Sequence, residues 1–157
     1  MTRWIYAALN AGIRLGYRLT YLVLRLWWFV RRPHTYGAAV ALWHEGKVLM
    51  VRTSYRHSYS LPGGFIRRGE PPERAARREL LEEIGLDVPV ESLRHAWHGS
   101  VRYESRVDTI DIWEVSLDER PALHVDGREI TWAGWMDPSA AQGRRLLPHI
   151  AAYLAQR

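Results

Sequence analysis

The sequence predicts an α/β domain of the α+β kind, preceded by an amphipathic helix. Three observations carry that expectation. Short β-compatible runs recur at 36–43, 47–52, 93–103, 109–117 and 130–136. A well-punctuated charged helix pattern lies between the second and third runs, and a second amphipathic pattern closes the chain at 143–156. The 157 residues are one domain's worth of chain with room for a real core. At 47% hydrophobic and 25% charged the composition is globular. There is no cysteine, which excludes a disulfide framework and any thiolate metal site.

The net charge of +5 is unevenly spread. Residues 1–32 hold six arginines and no acidic residue, so the rest of the chain stands at −1. A nucleic-acid partner for the domain is therefore not expected. The same asymmetry divides the chain into a basic helical extension, 1–33, and a domain, 34–157.

Trp4 to Val30 contains no proline and is mostly apolar, which predicts one long helix or two shorter ones. At roughly 100° per residue, Arg3, Arg14, Arg18, Arg25 and Arg32 fall within about 60° of one another, with Asn10 beside them. Residues 3–32 then fit a helix lying on a membrane surface, with Trp27, Trp28 and Phe29 at the interface. A membrane span fits less well, because Arg14, Arg18 and Arg25 interrupt every window of about 20 residues. A secretory signal fits poorly for the same reason, and no small-residue cleavage site follows. The other reading is packing on the domain itself or in a homodimer, for which Ala8, Gly12, Gly16 and Thr20 form a small-residue row opposite the arginines. The expected location is cytoplasmic, peripheral at the membrane on the first reading.

Pro33 ends the helical pattern. The runs 36–43 and 47–52, joined by His44-Glu45-Gly46, form a hairpin signal. A polar, aromatic loop at 53–60 leads to Gly63-Gly64, two glycines that allow a tight turn before the next helix. That helix is bounded by Pro71 and Pro72 at its start and Gly85 just past its end. Glu79, Glu82 and Glu83 stand at i, i+3 and i+4, so their carboxylates share one face. Such like-charge pairs cost a few tenths of a kcal/mol each, which a bound cation reverses. Ala75 and Ala76 leave room on that side, and Arg78 can hold Glu82. Clustered carboxylates suit a hard divalent ion, Mg²⁺ or Mn²⁺; the plain alternative is a solvated acidic face. Beyond it, strands at 93–103 and 109–117 flank a loop at 104–108. The strand at 130–136 ends in the turn Asp137-Pro138. Leu146, Leu147, Ile150 and Leu154 make the apolar side of the closing helix, although Pro148 argues for a start near 146.

The full spacing, Gly64-x5-Glu70-x7-Arg78-Glu79-Leu80-x-Glu82-Glu83-x-Gly85-Leu86, resembles the Nudix box, the signature of the Nudix hydrolase superfamily. Nine fixed positions over 23 residues are all filled. The resemblance implies an α/β/α sandwich around a mixed sheet, and a Mg²⁺-dependent enzyme that hydrolyses a small-molecule diphosphate linked to another group. It implies Glu79, Glu82 and Glu83 as metal ligands, with the Gly64 carbonyl helping, and Glu70 and Arg78 as supports. It makes Arg52, Tyr55, Arg56, His57 and Tyr59 possible contacts for phosphate or a base, each with a plain reading as a solvated loop residue. The same holds for Arg67 and Arg68 in the box loop. Glu129, just before the strand at 130–136, matches a place where some members carry an extra glutamate that reaches the metals or acts as base. Glu82, Glu83 and Glu129 are thus the three candidates for the catalytic carboxylate.

The resemblance leaves the substrate open. The proline that marks ADP-ribose hydrolases is missing, while Tyr103 lies close to a tyrosine of dinucleoside polyphosphate hydrolases. A nucleoside di- or triphosphate derivative is the default. The alternatives are a membrane-associated enzyme acting on a lipid or prenyl diphosphate, and a ligand-binding module without hydrolysis.

Overall fold

In the computed structural model, which describes residues 2–125 and 127–157, the chain runs α1 (Thr2–Arg31), β1 (His34–His44), β2 (Lys47–Thr53), β3 (Gly63–Phe65) and α2 (Pro72–Ile84). It continues through β4 (Arg94–Tyr103), β5 (Arg106–Ser116), β6 (Ile130–Met136), α3 (Pro138–Gln142) and α4 (Pro148–Leu154). The sheet order is β4-β5-β1-β2-β6, and β3 also pairs with β1. β1 runs parallel to β5 and antiparallel to β2 and β3, so the sheet is mixed. Residues 38–42 of β1 are all buried, as expected of a strand covered on both faces. Their alternate side chains divide the core. Ala38, Val40 and Leu42 pack with Ala75, Ala76, Leu80 and Ile84 of α2, while Ala39 and Ala41 pack with Ile150, Tyr153 and Leu154 of α4. The expected α/β/α sandwich is the observed one.

Local chemistry explains most boundaries. The hairpin turns through Glu45 and Gly46, both at positive φ (47° and 74°), the backbone that a two-residue hairpin requires. Gly85 closes α2 at φ 72°, its N–H reaching the Leu81 carbonyl. Two expectations are corrected. The loop placed at 104–108 is only the turn Glu104–Ser105, because Arg106–Asp108 already pair with β4 and β1. The closing helix expected at 143–156 begins only at Pro148, and a separate short helix, α3, occupies Pro138–Gln142, where a turn was expected. Leu147 before Pro148 is held extended (ψ 143°), and its N–H bonds the Tyr59 carbonyl, so the segment lies against the loop before β3.

The N-terminal extension is one helix, and Arg14, Arg18 and Arg25 of its arginine stripe reach the domain. Arg14 donates to the Gly127 carbonyl (2.8 Å), Arg18 to the Ser54 carbonyl (3.1 Å), and Arg25 lies 3.8 Å from Glu104. Trp28, 2% exposed, lies under the Arg106 guanidinium at 3.8 Å from its ring centroid. The opposite side exposes Leu15, Leu19, Leu22, Val23, Leu26 and Val30. A β-carbon at Gly12 or Gly16, in the small-residue row, would meet nothing within 4 Å. Packing on its own domain is thus realised, through the arginines and not through the small residues. Among the described residues no helix is long and apolar enough to cross a membrane.

Replacing Trp28 by alanine removes the side chain that anchors α1. Urea denaturation is expected to show a loss of about 3 kcal/mol, at the low end for a buried aromatic because the cavity adjoins solvent.

Candidate active site

The box helix is reached through a constrained approach. β3 lies against β1 in the register Gly37↔Phe65, Ala38↔Gly64 and Ala39↔Gly63. A β-carbon on Gly63 would stand 2.4 Å from the Ala38 carbonyl oxygen, and one on Gly64 2.6 Å from the Glu79 carboxyl carbon. The glycines therefore permit close approach within a strand, where the sequence suggested a turn. With β3 pinned, the Gly63 N–H donates to Glu83 at 2.9 Å.

Arg78 fastens the loop to the helix. It bonds both carboxylate oxygens of Glu70 (2.8 and 2.9 Å) and the Phe65 carbonyl (3.1 Å), and it also reaches Glu79 (2.5 Å) and Glu82 (3.3 Å). Glu70 in turn accepts from the Arg67 N–H at 2.9 Å. The hydrogen bond from Arg78 holds the Glu70 carboxyl down to about 2. The two carboxylates nearest the core go the other way. Burial, then the neighbouring Glu79 and Glu129, pushes Glu83 well above the usual range, against the Gly63 N–H. Burial also raises Glu79, against Arg78.

These side chains border a cavity of about 450 Å³. It gathers Gly64, Glu79, Glu82, Glu83 and Glu129 with Tyr55, Arg56, Arg67 and Arg78. Tyr55 donates to Glu129 at 2.9 Å, which ties the loop before the box to the glutamate on the far side. Arg67 reaches Glu82 at 3.3 Å. Other sequence candidates stand elsewhere. Arg52 lies exposed over Tyr59 (5.9 Å), Tyr103 packs beside Arg106 (5.8 Å), and His57 and Arg68 are exposed; none is among the described residues lining the cavity.

Among the described residues no three acidic or histidine side chains converge as a metal-binding group. Arg78 and Arg67 draw Glu82 outward, and Gly63 holds Glu83. The donor set still fits a hard divalent ion. Its atoms are all oxygens, and its half-buried carboxylates Glu79 and Glu83 carry a mutual repulsion that a cation relieves.

One wall of the cavity comes from outside this region. Tyr17, Thr20, Tyr21, Leu24 and Trp28 of α1 line it. The sequence does carry the signal. Asn10, Arg14, Tyr17, Tyr21, Leu24 and Trp28 recur at alternating spacings of four and three, the mark of a packed helix stripe. The arginine stripe beside it drew the attention. His149, buried and lining the same cavity, has a ring Nδ1 with no hydrogen-bond partner among the described residues.

A family model described as NUDIX domain matches residues 33–156. An RNA pyrophosphohydrolase of Proteus mirabilis is 43% identical over 56 residues, which is 34% of this chain and 32% of that protein. The match thus spans about a third of that relative's length. A MutT NUDIX hydrolase from Burkholderia pseudomallei superimposes with a TM-score of 0.69 at 19% identity, covering 78% of this chain and 97% of the other. A C. elegans Ap4A hydrolase in a binary complex gives 0.67 at 18% identity, covering 78% and 93%. At these identities the two structures share the fold.

Burial lowers the His149 imidazole to about 4, although Asp108 favours its charged form. The folded ring is therefore neutral at pH values where the unfolded chain takes a proton below 6.5. Its contribution to stability is fully present above pH 6.5 and is lost as the pH falls through 4. Urea midpoints are expected to drop over that window, and His149→Gln to flatten the drop.

Proposed function

Because the chain belongs to the Nudix hydrolase family, we propose that it is a Mg²⁺- or Mn²⁺-dependent pyrophosphohydrolase of a nucleoside diphosphate derivative. The observation that supports this reading is the complete box, with Glu79, Glu82, Glu83 and Glu129 around one cavity that also holds Arg56 and Arg67. Glu79, Glu82, Glu83 and the Gly64 carbonyl would hold the ion. When bound, the ion lowers the pKa of a water and offsets charge on the leaving phosphate. Water attacks one phosphorus, a new P–O bond forms, and the bridging P–O bond breaks to release the other phosphate. Glu82, Glu83 or Glu129 takes the proton from that water. Arg56 and Arg67 meet phosphate oxygens. Glu70 and Arg78 act through the loop and helix they join.

The test is Mg²⁺-dependent cleavage of ATP, diadenosine tetraphosphate, ADP-ribose and geranyl diphosphate, with the products separated and identified by chromatography. Glu82→Gln and Glu83→Gln are each expected to lower the rate by about 100-fold or more, the size of effect seen when transition-state charge stabilisation is removed. Near wild-type rates in both variants would sink the metal assignment, and activity confined to geranyl diphosphate would favour the lipid alternative.

The outward face of α1 supports a second element of the reading, a peripheral seat on an anionic membrane. The face is apolar along much of a helix about 45 Å long, with Trp27 and Phe29 exposed near its end and Arg31 and Arg32 beside them. Residues 1–32 hold no acidic side chain to oppose an anionic surface. The full chain is expected to float with phosphatidylglycerol vesicles and to lose this with Leu19→Gln and Leu26→Gln. A stable dimer in solution with no flotation would assign the face to a second copy.

A further inference from the structure

The guanidinium of Arg56 lines the cavity beside Glu83 and Glu129. Among the described residues it forms no ion pair, and only its Nε is engaged in a hydrogen bond, to the hydroxyl oxygen of Tyr21 at 2.8 Å. The Tyr21 ring lies under the same group, 4.8 Å from the guanidinium carbon to the ring centroid, and Tyr55 lies at 5.5 Å. Burial opposes the charge on Arg56, while Tyr21, Tyr55 and Glu104 favour it. The outer edge of the guanidinium, its two Nη groups, is left for an oxyanion.

Tyr21 belongs to α1, before the region the family shares. Its own hydroxyl proton is donated to Glu104, which leaves the oxygen lone pair directed at Arg56. Glu104 is a stiff acceptor. It sits in a turn with Ser105 where both residues hold positive φ (49° and 63°), and it also takes Arg106 at 3.4 Å. Tyr21 is therefore fixed from three sides: by Glu104, by Tyr55 at a centroid distance of 4.8 Å, and by Trp28 at 6.0 Å.

We propose that Tyr21 is a positioning residue of the active site, which aims the Arg56 fork into the cavity so that it binds phosphate oxygens of the substrate. The helix before the family domain is then a working wall of the site as well as an attachment. This rests on the reading of Arg56 as a phosphate contact. A purely structural role for Tyr21 would instead act on stability, independently of Arg56.

A double-mutant cycle in the full chain separates the two. Tyr21→Phe keeps the ring and removes the hydroxyl. It is expected to raise KM for whichever diphosphate is hydrolysed by about tenfold with kcat within about threefold, the scale of one charge-assisted hydrogen bond. Arg56→Ala is expected to raise KM further, and adding Tyr21→Phe to it is expected to change KM less than about twofold. Inorganic pyrophosphate binding, followed by calorimetry in the same four proteins, should repeat the pattern without turnover. Glu104→Gln loosens Tyr21 from its other side and is expected to weaken pyrophosphate in the same direction.

Equal factors from Tyr21→Phe with and without Arg56, or an unchanged KM and pyrophosphate affinity, would overturn the proposal. If no diphosphate is hydrolysed yet the non-additive pattern persists in pyrophosphate binding, the hydrolase reading fails and the positioning role stands.

Discussion

The arrangement depends on a shared strand. β1 pairs with β2 only near their common turn, at Trp43↔Val48 and His44↔Lys47, and its other half is free to take β3. β3 reaches it because Gly63 has no side chain where the Ala38 carbonyl passes. From that contact follow the Gly63 N–H aimed at Glu83, the crowding of Glu79 against Gly64, and the start of the loop that Arg78 fastens to α2. A small steric allowance, made on a buried strand, thereby sets the positions of the carboxylates. The apolar packing of Ala75, Ala76, Leu80 and Ile84 keeps their helix from rotating away.

Charge organises the site in two layers. Near the solvent, guanidinium groups balance carboxylates: Arg78 with Glu70, and Arg67 with Glu82. Glu79 and Glu83 are half-buried at the cavity they share with Glu129, and desolvation raises both. Arg78 bonds Glu79 as well, so these pairs hold the frame around Glu83, which accepts from the Gly63 N–H. Ion pairs as exposed as Arg67–Glu82 are worth little in stability by themselves. Their role is geometric, since they define which way Glu82 points.

Much of this was legible in the residues, and the failures are instructive. The box could be read because its chemistry is local: proline, glycine and three glutamates on one face need no distant partner to be recognised. β6 was legible to the residue, and β2 to within one, because apolar runs between turn residues define them. Tyr103 could not be placed from the sequence, since a tyrosine near the end of a strand is positioned by its neighbours, here Arg106 and Glu104. The closing helix starts late because Leu147 is held extended by a backbone partner in Tyr59, a contact across 88 positions that no periodicity encodes. The orientation of α1 escaped for a different reason. Arginines are expected to face water or headgroups, and here they meet backbone carbonyls and Glu104 at the domain's edge, leaving leucines outside.

Those carbonyl contacts have an evolutionary consequence. Arg14 and Arg18 read Gly127 and Ser54 through the main chain, so the side chains at the receiving positions are not part of the bond. Substitutions in those loops can accumulate without undocking the helix, provided the backbone path is kept. An appended helix attached in this way can follow a domain through sequence divergence, while the residues it presents to the cavity remain free to vary. One scaffold is then open to different substrates through helix positions such as Thr20 and Leu24, which line the cavity without making those attachments.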